Sequence, residues 1–337
     1  MLKCLMLLML TLMSAVAPAG AATLIHGAGA TFPYPLYAKW FNEYAKIDPS
    51  VQFNYQVVGS SEGIRQIMAR AVDFGASDQY LSDEELKTAP GKLLHIPTVM
   101  GAVVVIYNLP GIGGGVRIAS EELADIFLGK ITKWNDPRLV GYNSGVTLPD
   151  KPIIVMHRSD GSGTTGIFTD YLSAANPRWA AGVGKGTAVK WPAGVGGKGN
   201  EGVAGLVKKT KYAVGYVDLA HAVENNLPYA HLKNRQGRFV EPSAGSITAA
   251  ATQAMGRMTA DHRIVLVNQP GKESYPVVGF TWLLVYGEQK DKVKGQKLVQ
   301  FLSWSLHDGQ KIAPQLGYAP LPESVVKVVE KTLKEIR

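Results

Sequence analysis

Three times in this sequence an extended run ends in a few small residues and gives way to an apolar stripe of helical period. The junctions are Ala30-Thr31-Phe32, Gly59-Ser60-Ser61 and Asp160-Gly161-Ser162-Gly163-Thr164. Leu36, Tyr37, Trp40, Phe41 and Tyr44 line the face after the first; Ile64, Ile67, Met68 and Ala71 follow the second; Ile167, Phe168, Tyr171 and Leu172 follow the third. Strand and helix patterns alternate along the rest, including a β-branched run at Val103 to Tyr107, a strongly apolar strand pattern at Val277 to Tyr286 and a helical pattern from Lys294 to Trp304. That alternation predicts an α/β fold with largely parallel sheets. A helix start exposes unpaired N–H groups and the positive end of the helix dipole, and small residues let an anion reach them. Ligands of open α/β sheets collect at the carboxyl ends of strands, where these turns lie. One such turn alone is routine N-capping. Three, with Arg158 and Asp78 beside them, predict a site for an oxyanion.

The first 22 residues read as a secretory leader. Lys3 is the positive region, Leu5 to Val16 the apolar one, and Pro18-Ala19-Gly20-Ala21-Ala22 the small-residue cleavage site. The apolar run is short of the roughly 20 residues a bilayer span needs. Cys4, the chain's single cysteine, lies within this leader, so the exported part is expected to rest on burial rather than disulfides. A chain of 337 residues, 46% hydrophobic and 18% charged, has the length for two domains and the composition of a folded one. The net charge of +8 permits an anionic ligand, and its scatter along the chain lacks the basic stripes of a nucleic-acid binder.

Enzymatic motifs fail on inspection. Lys185 and Lys198 are each followed by Gly, not by the Ser or Thr of a P-loop, and Phe32 stands where a dinucleotide fingerprint has its third glycine. Asp160 replaces the first glycine of a nucleophile elbow at Ser162. The seven histidines show no zinc spacing, and His157 reads as a packing residue at a strand end. No metal and no cofactor are expected. Ser82 followed by Glu85 reads as a capping box.

These residues also carry a resemblance. The stretches Gly27-Ala-Gly-Ala-Thr-Phe-Pro33, Gly59-Ser-Ser61, Val72-Asp-Phe-Gly-Ala-Ser-Asp78 and Arg158-Ser-Asp-Gly-Ser-Gly-Thr164 follow one another in order. So do Leu128-Gly-Lys-Ile-Thr-Lys-Trp-Asn135 and Lys190-Trp-Pro-Ala-Gly-Val-Gly-Gly-Lys-Gly-Asn200. From about residue 24 to the C-terminus the chain resembles the periplasmic phosphate-binding proteins of phosphate ABC transporters. The likeness implies a two-lobed periplasmic-binding-protein fold, type II-like, with lobe I at 23–103 and 276–337, lobe II at 104–275, a hinge of two chain crossings and a ligand cleft between the lobes. It implies a monomeric, non-enzymatic carrier of inorganic phosphate in the periplasm that docks on an inner-membrane permease. By position, Thr31 and Phe32 would donate backbone N–H groups, with the Thr31 hydroxyl adding one. Ser60 would donate through hydroxyl and amide, and Ser162, Gly163 and Thr164 would surround the opposite side. Arg158 would be the sole direct cation, held by Asp160. Glu62 departs from the pattern by placing a carboxylate near an anion site; it would face outward or slightly weaken binding.

Asp78 sets the expected selectivity. A carboxylate beside a bound anion is repulsive unless the anion brings a proton, which phosphate does near neutral pH and sulfate does not. An unpaired buried acceptor facing a like charge predicts roughly 10³–10⁵-fold discrimination. The competing reading of Asp78 is a helix cap near Leu81. Two other functions stay open at this point: a secreted phosphomonoesterase using the same cradle, and a binder of another tetrahedral oxyanion.

Overall fold

The computed structural model describes residues 22–337, so all but Ala22 of the leader read at 1–22 lies outside the described residues. The strands are β1 (Thr23–Gly29), β2 (Val51–Val57), β3 (Phe74–Ser77), β4 (Leu93–Tyr107), β5 (Arg117–Ile118), β6 (Ile154–Arg158), β7 (Val195–Gly197), β8 (Ala213–Asp218), β9 (His231–Lys233), β10 (Phe239–Val240) and β11 (Val278–Tyr286). Eight of them form one sheet in the order β2-β1-β3-β11-β4-β8-β6-β7, and β10-β9-β5 form a small second sheet. The flanks β2-β1-β3 and β8-β6-β7 are parallel, as helical crossovers require.

The centre is not parallel, which corrects the expectation of largely parallel sheets. β3 to β11, β11 to β4 and β4 to β8 all pair antiparallel. The alternation of strand and helix governs each flank, but β4 and β11 pass between the flanks in opposite directions and meet side by side. All fifteen residues of β4 are buried, and it pairs with β11 up to Ala102 and with β8 from Val103. A bulge falls where Pro97 of β4, which has no N–H to give, lies opposite β11, with the register shifting between Thr281 and Trp282.

Each flank has its own aromatic core. On one side Phe53 packs on Phe301 at 4.4 Å between ring centres and on Phe74 at 6.5 Å. On the other Phe168 stacks on Tyr216 at 4.3 Å and meets Phe127 at 4.9 Å. Such rings supply a large share of buried apolar area. His157 stacks on Trp191 at 4.9 Å, a packing role. The helix Ser60–Met68 lies close on the first flank because residue 63 is glycine: a Cβ there would sit 2.5 Å from the Gly29 Cα. The glycine-rich stretch 182–202 contains β7 and the start of the helix Gly199–Lys209. Glycines hide both periodicities, and β7 exists by pairing with β6. The capping box forms as read, with Ser82 accepting from the Glu85 N–H.

Candidate functional site

All three junctions deliver their residues to one place, where the two flanks face each other. Thr31 and Phe32 close β1 and lead into the helix Tyr34–Ile47. Ser60 opens the helix Ser60–Met68 after Gly59, and Ser162 caps the helix Gly163–Ala175 by accepting from the Thr165 N–H at 3.0 Å. Thr31, Phe32, Ser60, Asp78, Arg158, Ser162 and Thr164 are each at most 3% exposed. The flanks touch directly: the Ser61 N–H donates to the Gly161 carbonyl at 3.1 Å, and the Ser61 hydroxyl donates to Thr187 Oγ1 at 3.0 Å. Gly163 is required here. A Cβ at that position would lie 2.3 Å from Ser60 Oγ and 2.8 Å from Asp78 Oδ2.

Arg158 ends β6, and its donors can be counted. Nε and Nη2 donate to the two oxygens of Asp160 at 2.8 and 2.5 Å, and Nη1 donates to Asn200 Oδ1 at 2.7 Å. A guanidinium has five N–H donors, so these three bonds leave two for a ligand. Burial alone would raise the Asp160 carboxyl, but the bonds and charge of Arg158 overcome it and hold it below the usual range. Asp160 therefore stays ionised and keeps the fork in place.

Asp78 follows β3. Its N–H donates to Ser60 Oγ at 3.2 Å, its Oδ1 accepts from the Thr281 hydroxyl at 2.7 Å, and its Oδ2 is buried with no partner among the described residues. Burial pushes its pKa up to about 7, with Thr281 and Arg158 pulling it down and Asp218 adding to the rise. The cap near Leu81 is Ser82 instead, which leaves Asp78 to the site. Glu62 turns back onto its own helix, where Arg65 and Gln66 bond it; those bonds hold its carboxyl down to about 2.

Sequence reasoning missed five residues. Asn200 lies in a quoted stretch without a role; here it begins a fourth helix, donates through Nδ2 to Thr164 Oγ1 at 3.2 Å and Asp218 Oδ2 at 2.6 Å, and its backbone N–H reaches Thr31 Oγ1 at 3.3 Å. Asp218 and His221 stand where β8 turns into the helix Leu219–Glu224, with His221 Nδ1 2.5 Å from Asp218 Oδ2. Burial opposes a charge on His221, but Asp218 and Glu201 hold its pKa up to about 10, so it is an imidazolium. Tyr318 donates to the Phe32 carbonyl at 2.6 Å. Thr281 is a small polar residue amid an apolar strand run, and that contrast is the signal that could have found it.

The site thus offers helix-start N–H groups, hydroxyls, two free guanidinium donors and one unpartnered carboxylate oxygen in a water-poor space. That set fits a small protonated oxyanion. The chain matches a family described as "PBP superfamily domain" over residues 16–308. It is 45% identical to the phosphate-binding protein PstS of Pasteurella multocida over 97% of this chain and 95% of that protein. It is 44% identical to the PstS protein of Haemophilus influenzae, over 94% of each. The solved phosphate-binding protein of Stenotrophomonas maltophilia shares the fold, with a TM-score of 0.68 and 21% identity over 92% of this chain and 94% of that one.

Proposed function

Given that this chain belongs to the PstS family of phosphate-binding proteins, within the periplasmic-binding-protein superfamily, we propose that it captures one inorganic phosphate ion between its two lobes for delivery to an ABC importer. The observation that carries this reading is Asp78: a buried carboxylate oxygen without a partner, among donors that suit an anion. Only a ligand that is both negative and protonated satisfies that combination. Thr31, Phe32, Ser60, Ser162, Gly163, Thr164 and Arg158 bind the ion, with Asp160 holding Arg158. Lobe I is 23–103 with 276–337 and lobe II is 104–275, with β4 and β11 as the two crossings. The switch of β4 from β11 to β8 between Ala102 and Val103 supports that boundary. The chain acts as an exported, monomeric, non-catalytic carrier in the periplasm, with a membrane permease as its partner.

Selectivity then follows from one proton. Enclosing sulfate beside Asp78 requires the carboxyl to take a proton from solvent, whereas phosphate supplies its own. With the folded-state pKa at about 7, sulfate binding holds level below that pH and falls by up to about tenfold for each pH unit above it, while phosphate, which keeps a proton of its own, does not follow. Isothermal titration at pH 7 tests the function: phosphate saturates the protein at one ion per chain. Absence of phosphate binding, or turnover of p-nitrophenyl phosphate abolished by Ser162→Ala, overturns the reading.

A further inference from the structure

Arg158 is gripped on one edge by Asp160, and what holds its other edge is a chain of buried groups. Asn200 Oδ1 accepts from Arg158 Nη1 at 2.7 Å, and this works only if the amide is turned that way round. Its orientation is set from behind. Asp218, fully buried, presents Oδ2 2.6 Å from Asn200 Nδ2, and a carboxylate accepts there but cannot donate. The NH2 end must therefore face Asp218 and the oxygen must face Arg158. Asp218 is fixed in turn by His221, whose backbone N–H donates to Oδ1 at 3.2 Å and whose ring Nδ1 lies 2.5 Å from Oδ2. The ring's Nε2 reaches Glu201 Oε1 at 3.2 Å. An ionised Asp218 without that imidazolium would add a carboxylate to a site that already contains Asp78 and Asp160. The Asn200 N–H also reaches across the cleft to Thr31 Oγ1, so the relay is complete only with the lobes together.

We infer that Asn200, backed by the Asp218–His221 ion pair, is a positioning residue that orients the Arg158 guanidinium for anion capture and cancels the charge its own orientation requires. This rests on the phosphate-binding reading. Asn200→Ala weakens phosphate binding by roughly tenfold or more, the size expected for one lost charge-assisted hydrogen bond. The same substitution in an Arg158→Lys background costs less than about threefold, because the group it orients has gone. Asn200→Asp faces two carboxylates toward each other and loses more than Asn200→Ala. The readout is phosphate affinity by isothermal titration, with thermal melts of the ligand-free variants confirming the fold. Wild-type affinity in Asn200→Ala, an equal loss in the Arg158→Lys background, or an Asn200→Asp variant that binds as well as Asn200→Ala overturns the inference. Wild-type protein that ignores phosphate overturns the binding reading beneath it, a distinct result.

Discussion

At Asp78 the fold leaves one carboxylate oxygen bonded to Thr281 and the other with no group to meet among the described residues. Its pKa rises from 3.8 to about 7, chiefly through burial, and that has a sign for stability. The folded chain binds the proton more tightly than the unfolded one, so the contribution is fully present below about pH 4 and is lost as pH rises through about 7. Ligand-free wild-type protein therefore loses stability across that window relative to Asp78→Asn, by on the order of 4 kcal/mol at most. Chemical denaturation of both proteins at pH 5 and pH 8 checks it; parallel curves contradict the assignment. Asp78 and Arg158 were legible in the sequence because each sits at the end of a strand beside a small-residue turn. Asn200 and Asp218 were not, since their meaning lies in partners 18 to 169 positions away. No local pattern announces such a pairing.

At the scale of elements, three helix starts were readable because capping and dipole chemistry are written in adjacent residues. The fourth, at Gly199, lacks a Ser or Thr and hides in a glycine-rich stretch. The antiparallel centre was hidden for another reason: which strand lies beside β4 depends on the return of β11, some 170 residues on. Gly163 shows how tightly the helix starts meet, since its missing Cβ is what lets Ser60 and Asp78 come against it. Gly163→Ala obstructs that approach while suiting the helix it opens. The expected result is a loss of phosphate affinity of roughly 10²-fold with the ligand-free melting temperature nearly unchanged, read by titration and calorimetry side by side. Unimpaired binding would mean the two helix starts do not close on the ion.

Across the whole molecule, β4 and β11 lie between the two parallel flanks, and the sheet continues through both. Two aromatic cores keep each lobe intact, while polar contacts such as Ser61 to Gly161 and Asn200 to Thr31 close the space between them. A ligand that bridges the lobes strengthens this closed arrangement by its differential affinity for it. The most direct test of the account is paired titration with phosphate and sulfate, from pH 5 to pH 8, on wild-type protein and Asp78→Asn. Wild-type protein should bind phosphate more tightly than sulfate at pH 8, with sulfate regaining up to about tenfold from pH 8 to pH 7 and little below that, and Asp78→Asn should lose this pH dependence. Sulfate binding by wild-type protein that does not weaken from pH 7 to pH 8, or unchanged selectivity in Asp78→Asn, would contradict it.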